Sequence, residues 1–261
     1  MSDYKSKLNL AVLIFKKNIS RLIAMSVFLT AIYLAFALLQ QVAFEILNIS
    51  VLDDLGEIIL SKKAVIITAL AGIVFLLIGM PLRLGAKKWC FEICFNKSAD
   101  FTLIFEYFSD FKKYIKAIKF IIIFFIKRLF YYLILVLPFT VFRIIISYFA
   151  QNGLSTANEY YLASVVFLDI LIILAAISAF YFSLKYFSAE YIFFKDENLT
   201  LREIGRKSDD VMKERKGYIF KLNLLLLPFY ALCIFIFPII ILIPYRNVLF
   251  SVIGKEFLKD I

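Results

Sequence analysis

The chain contains no histidine. That removes the commonest general base, the commonest metal ligand and every His-dependent catalytic triad. Cysteine is scarce: Cys90, Cys94 and Cys233 are the three present. Two cysteines four apart on a helix make no zinc site without further ligands, so all three read as small buried thiols. The eight glycines form neither a phosphate-binding loop nor a dinucleotide fingerprint, and no calcium loop is present. Gly72 and Gly79 stand one heptad apart, which is not the Gly-x-x-x-Gly face of a helix dimer. These absences leave acidic side chains as the remaining catalytic resource. We therefore expect a protein that is not an enzyme, with no catalytic residues, no cofactor and no metal ligands.

What the chain has in abundance is hydrocarbon. Hydrophobic residues make up 63% of 261, and the mean hydropathy is +0.89. The apolar residues fall into five long runs, at residues 22–44, 64–84, 129–150, 161–184 and 222–243. Each is about 20 residues long, the length a helix needs to cross a hydrocarbon core of about 30 Å. In lipid every backbone polar group must be satisfied internally, so the choice is helices or a closed barrel. A barrel would show short alternating strands. These runs are long and continuous. The expected fold is all-α: a single integral membrane domain, residues 1–261, built as a polytopic transmembrane helical bundle of about five spans with amphipathic interfacial helices.

The charge pattern sets a topology. Thirty Lys and Arg stand against twenty Asp and Glu, a net charge of +10. The basic residues cluster beside the apolar runs, as the positive-inside rule describes, so nucleic acid is not the expected partner. Lys5, Lys7, Lys16, Lys17 and Arg21 precede the first run. Arg83 to Lys119 and Lys185 to Lys221 enclose two further basic stretches, whereas 151–160 holds neither Lys nor Arg. This alternation predicts a cytoplasmic N-terminus. Five crossings would place the C-terminus outside, although Pro228, Pro238 and Pro244 make a re-entrant last segment the alternative. Ala35-Phe36-Ala37 looks like a signal cleavage site, but the apolar run continues to Phe44, which favours an uncleaved first helix.

Several stretches suit the membrane surface. Residues 4–18 mix Leu8, Leu10, Val12, Ile14 and Phe15 with lysines. Residues 87–118 carry Trp89, Phe91, Phe95, Phe101, Phe105, Tyr107, Phe108, Phe111 and Tyr114, an expected headgroup belt. Basic interfacial helices of this kind bind lipid, here anionic headgroups at the cytoplasmic face. Residues 115–126 are apolar but end at Lys127 and Arg128, too short for a span. They read as a tilted approach to span three or as part of one kinked helix. Thr200 with Glu203 three residues on predicts a capping box, and Gly217 a helix end.

Charge inside hydrocarbon costs at least about 2.5–3.5 kcal/mol per residue, so it is usually paired and often functional. Arg143 and Asp169 lie in spans three and four, about 10–13 Å below the same end at a rise of about 1.5 Å per residue. We expect them to pair across the hairpin. Gln40, Gln41 and Glu45, near the outer end of span one, form a second candidate cluster that could join them.

Three segments carry a resemblance. They are YFSAEYIFFKDENLT (186–200), LREIGRKSDDVMKERKGYIFKLNLLLLPFY (201–230) and IPYRNVLFSVIGKEFL (243–258). The stretch GMPLRLGAKKWCFEICFNKSADFTLIFEYF (79–108) adds to them less specifically. Together they resemble a family of small polytopic bacterial membrane proteins of unknown function. That family is distantly similar to the membrane domain preceding some glycerophosphoryl diester phosphodiesterases. Ser208, Met212, Lys216, Gly217, Pro244 and Tyr245 occupy its pattern positions. The chain departs in lacking the Trp and Pro-Gly pair of the middle spans, and its final aromatic is Phe257. The resemblance implies the architecture and a bacterial cytoplasmic (inner) membrane, and it supplies no catalytic residue. The expectation is a non-enzymatic accessory or scaffold component, with membrane lipids and a protein partner or second copy as companions. The alternative is a transporter or permease component for a polar solute or lipid.

Overall fold

The computed structural model describes residues 2–47, 49, 62–95, 99–152, 159–232 and 236–260. Asp53, Asp54, Glu57 and Cys233 lie outside them. Among the described residues every regular element is helical and no strand occurs. Among the described residues four helices are long and apolar enough to cross a membrane, at Ile19–Ile46, Lys62–Ile93, Tyr161–Lys195 and Pro238–Phe257. A bent pair, Phe111–Leu135 with Leu137–Ala150, makes up to five. The protein is therefore all-α and has the makings of a multi-pass membrane protein. The chain falls into two compact units, Met1–Ile121 with Pro228–Glu256, and Ile122–Leu227 with Phe257–Ile261.

The first unit starts with α1 (Ser2–Lys17) and α2 (Ile19–Ile46). Ala11 and Phe15, one turn apart on α1, are buried, and so are Leu22, Met25 and Leu29 of α2. Then come α3 (Lys62–Val74), one π turn at Phe75–Gly79, and α4 (Met80–Ile93). Pro81 has no N–H to give the Leu77 carbonyl one turn back. Tyr114 Oη donates to that oxygen at 2.9 Å, so the freed acceptor is satisfied. The helical run continues nine residues past the expected end of span two. This happens because α4 buries Leu82, Ala86, Trp89, Cys90 and Ile93 on protein.

Asp100 opens a 3₁₀ turn at Phe101–Phe108, accepting from the Thr102 N–H. That bond holds its carboxyl below the usual range. Gly85 of α4 backs onto this turn: a methyl group there would stand 2.1 Å from the Ile104 carbonyl oxygen. Beside it, Lys88 Nζ lies 2.8 Å from Glu106 Oε1, and Lys113 Nζ is 3.4 Å from the same oxygen. The expected aromatic belt is thus split. Trp89, Phe91 and Tyr107 are core, and Phe105, Phe108 and Phe111 are exposed, because the turn folds back on α4 and claims one side of it.

The last long helix of this unit is α11 (Ile236–Phe257), preceded by α10 (Lys216–Ala231). The expected span at 222–243 covers the end of α10 and the start of α11 and includes residues 233–235, which lie outside the described residues; the apolar helix Pro238–Phe257 begins within it. Lys7 of α1 pairs with Glu256 at 2.8 Å. Phe15 meets Tyr245 edge-on at 5.6 Å, and Cys94 Sγ lies 3.9 Å from Val248 O. The C-terminal end of α11 accordingly sits beside α1, on the same side of this unit.

The second unit holds the rest of α5 (Phe111–Leu135), α6 (Leu137–Asn152), α7 (Glu159–Ser183), α8 (Ala189–Lys195), α9 (Leu201–Met212) and most of α10. Helix α5 runs unbroken past Lys127 and Arg128, and the 46° bend comes at Val136. Pro138 explains its place: it offers no N–H to Ile134 and crowds that carbonyl. Thr140 Oγ1 also bonds back to Val136 O at 3.0 Å, a contact that favours bending. Phe193, Ile204, Met212, Ile219 and Leu222 form the core.

Helix α9 starts as its sequence requires. The Thr200 side chain accepts from the Glu203 N–H, and Glu203 reaches back to the Thr200 N–H, completing the capping box. Those hydrogen bonds hold the Glu203 carboxyl below its ordinary value. Its share of stability is full above the ordinary carboxylate range and fades as pH falls through the lowered value. The helix ends at Met212, and Gly217 lies inside α10. Ile204, Gly205, Ser208 and Met212 are its buried stripe.

Candidate functional site

The α6–α7 hairpin carries Arg143 and Asp169. Arg143 Nε donates to Asp169 Oδ1, a direct charge-assisted hydrogen bond. The two side chains remain 43% and 45% exposed. Around them the hairpin presents Phe142, Ile144, Ile145, Val166, Phe167 and Ile170, all exposed. The pair therefore lies open on an apolar surface. Reversing either charge alone, as Arg143→Asp or Asp169→Arg, is expected to lower folded yield in mild detergent. The double reversal is expected to restore it. No recovery in the double variant would show that the two charges act separately.

Gln40, Gln41 and Glu45 belong to the first unit. They line an open depression of about 360 Å³ with Ala37, Phe44 and Ile49 near the end of α2. Gln40 Nε2 donates to Thr68 Oγ1 of α3 at 3.3 Å, which ties the two helices together by a polar contact. Arg143 and Asp169 stand in the second unit. Among the described residues no three His, Cys, Asp or Glu side chains gather as metal ligands. Cys90 is buried. Burial pushes the Cys94 thiol up to about 12, far from the thiolate a nucleophile needs.

A further cluster is built where α5, α7 and α9 meet. Lys127 Nζ lies 5.0 Å from the Phe124 ring centre and 5.6 Å from that of Tyr186. Lys185 Nζ lies 4.9 Å from the Tyr186 ring and 5.4 Å from that of Tyr131. Arg128 Nη2 donates to Tyr186 O at 3.1 Å. Ser208, fully buried, donates from Oγ to Lys185 O at 2.7 Å. It thereby caps a carbonyl where α7 tightens into a 3₁₀ turn at Leu184–Tyr186.

In the sequence Lys127 and Arg128 end an apolar stretch and Lys185 opens a basic one, with nothing to join them. One local signal existed: Phe124, Lys127 and Tyr131 are spaced three and four apart, one face of a helix. Ser208→Ala would leave a buried carbonyl short of its donor. A loss of about 1–3 kcal/mol is expected, read as a lower unfolding temperature in detergent.

Compared with known protein families, residues 5–253 match the one described as a protein of unknown function, DUF975. No curated protein and no solved structure matches the chain.

Proposed function

The chain belongs to the DUF975 family of proteins of unknown function, and from that premise we propose that it is a non-enzymatic accessory or scaffold component of the bacterial cytoplasmic membrane, its N-terminus in the cytoplasm. The observation that carries this reading is the half-exposed Arg143–Asp169 pair on an apolar hairpin face. A bare ion pair against lipid is costly. A neighbouring membrane segment that covers the face removes that cost and gains polar contacts across the interface. The companion is a partner protein or a second copy of this chain.

Native mass spectra of the gently extracted protein test the proposal. A stoichiometric protein companion is expected, and Asp169→Asn is expected to release it. A chain that emerges bare, or holding only a small polar solute, overturns the accessory role. The second reading, a transporter or permease component, draws on the open depression at Gln40, Gln41 and Glu45. It predicts the retained solute and its loss in Glu45→Gln.

A further inference from the structure

The cluster at Lys127 and Lys185 has the parts of an anion site. Two ammonium groups flank one tyrosine ring, Tyr186. Neither forms an ion pair with a carboxylate among the described residues. Asp209 is close enough to act on Tyr186, but its carboxylate lies 4.0 Å from Lys216 Nζ. Contact with an aromatic face steadies an ammonium group electrostatically. Lys185 also turns donors to the Tyr131 and Tyr186 hydroxyls, and since an ammonium group has three donors, one remains for an anion.

The surrounding chain fixes these groups in place. Arg128 holds the Tyr186 backbone, Ser208 holds that of Lys185, and Tyr131 stacks on Phe182. Gly205 keeps room for the Lys127 head, since a methyl group there would come within 3.1 Å of Nζ. A glycine inside a helix is less stable than alanine there, so α9 gives up some stability at this point.

The flanks say what kind of anion. Leu129, Phe130, Leu133 and Phe182 are exposed beside the cluster, a surface suited to acyl chains next to a charged head. We propose that Lys127 and Lys185 hold the phosphate of an anionic phospholipid headgroup, with acyl chains lying along Phe130, Leu133 and Phe182. The site does not depend on the accessory role. It needs only the cluster at the end of a membrane helix.

The test uses the full chain, purified in mild detergent and mixed with phosphatidylglycerol, phosphatidylcholine or inorganic phosphate. Bound lipid is counted by native mass spectrometry, and the unfolding temperature is read in parallel. Phosphatidylglycerol is expected to be retained preferentially and to raise the unfolding temperature, with inorganic phosphate leaving it unchanged. Lys127→Gln with Lys185→Gln is expected to weaken retention about tenfold, as two lost charge-assisted contacts imply. Lys127→Arg with Lys185→Arg should keep it.

Lys112→Gln with Lys119→Gln removes the same charge elsewhere on α5 and is expected to retain lipid like the parent. Equal loss in both glutamine pairs would overturn the site in favour of a general basic belt. An equal rise with inorganic phosphate would overturn the lipid assignment. Should the first glutamine pair fail to fold, Lys185→Gln alone carries the same comparison. Loss of a protein companion in Asp169→Asn with lipid retention unchanged would separate this site from the scaffold role.

Discussion

Gly85→Ala is expected to unfold the first unit. The added methyl would stand 2.1 Å from the Ile104 carbonyl oxygen, where carbon and oxygen in contact need about 3.3 Å. The obstacle is backbone, so no rotamer change relieves it, and α4 and the 3₁₀ turn must separate. Overpacking a tight contact commonly costs about 1–3 kcal/mol and more when the backbone must move. Alanine returns about 1 kcal/mol of helix propensity, which does not offset that. Gly72→Ala is the matched control, since nothing lies within 4 Å of a methyl group there. It should be neutral or stabilising by about 1 kcal/mol. Size-exclusion profiles and thermal unfolding in detergent distinguish the two. A Gly85→Ala protein that elutes and melts like the parent would mean that α4 and the turn do not pack this closely.

Glu106→Gln should have an effect of similar size. Lys88 is 8% exposed, and its ammonium group loses the carboxylate held at 2.8 Å. Removing one partner of a buried pair costs about 3–5 kcal/mol, because the remaining charge stays out of water. Lys113 is 41% exposed at its side chain and lies farther away, so Lys113→Ala should cost no more than about 1 kcal/mol. The decisive comparison is the double variant Lys88→Met with Glu106→Leu, which removes both charges and keeps the volume. It should recover much of the loss. If the double variant is no better than Glu106→Gln alone, packing and not charge explains the sensitivity.

The helical, multi-pass character was legible because it depends on local length and composition. Residues 22–44 and 161–184 read directly as α2 and α7. The Thr200 and Glu203 capping box was legible for the same reason: its partners are three residues apart. What escaped depends on contacts between distant segments. Hydropathy averaged over 222–243 passed over the strongly buried stretch at Val248, Leu249 and Ile253. Trp89 and Tyr107 looked like headgroup aromatics, since composition cannot tell a ring against lipid from one against Gly85's helix. The Lys127 and Lys185 cluster comes from segments nearly sixty residues apart and closes only when α9 docks Ser208 on the end of α7.

The first unit joins residues 1–121 to residues 228–256, and that division has a temporal meaning. Proteins are made from the N-terminus, and segments fold as their partners appear. When α1 and α4 leave the ribosome, Tyr245, Glu256 and Val248 do not yet exist, so Phe15, Lys7 and Cys94 wait for their neighbours. Most of the second unit lies in one continuous stretch and can pack while synthesis proceeds. The first unit therefore cannot close until residues 228–256 have been made, over a long intervening loop. A polypeptide halted before Pro228 leaves the ribosome with its earliest helices still incomplete, a natural target for membrane quality control.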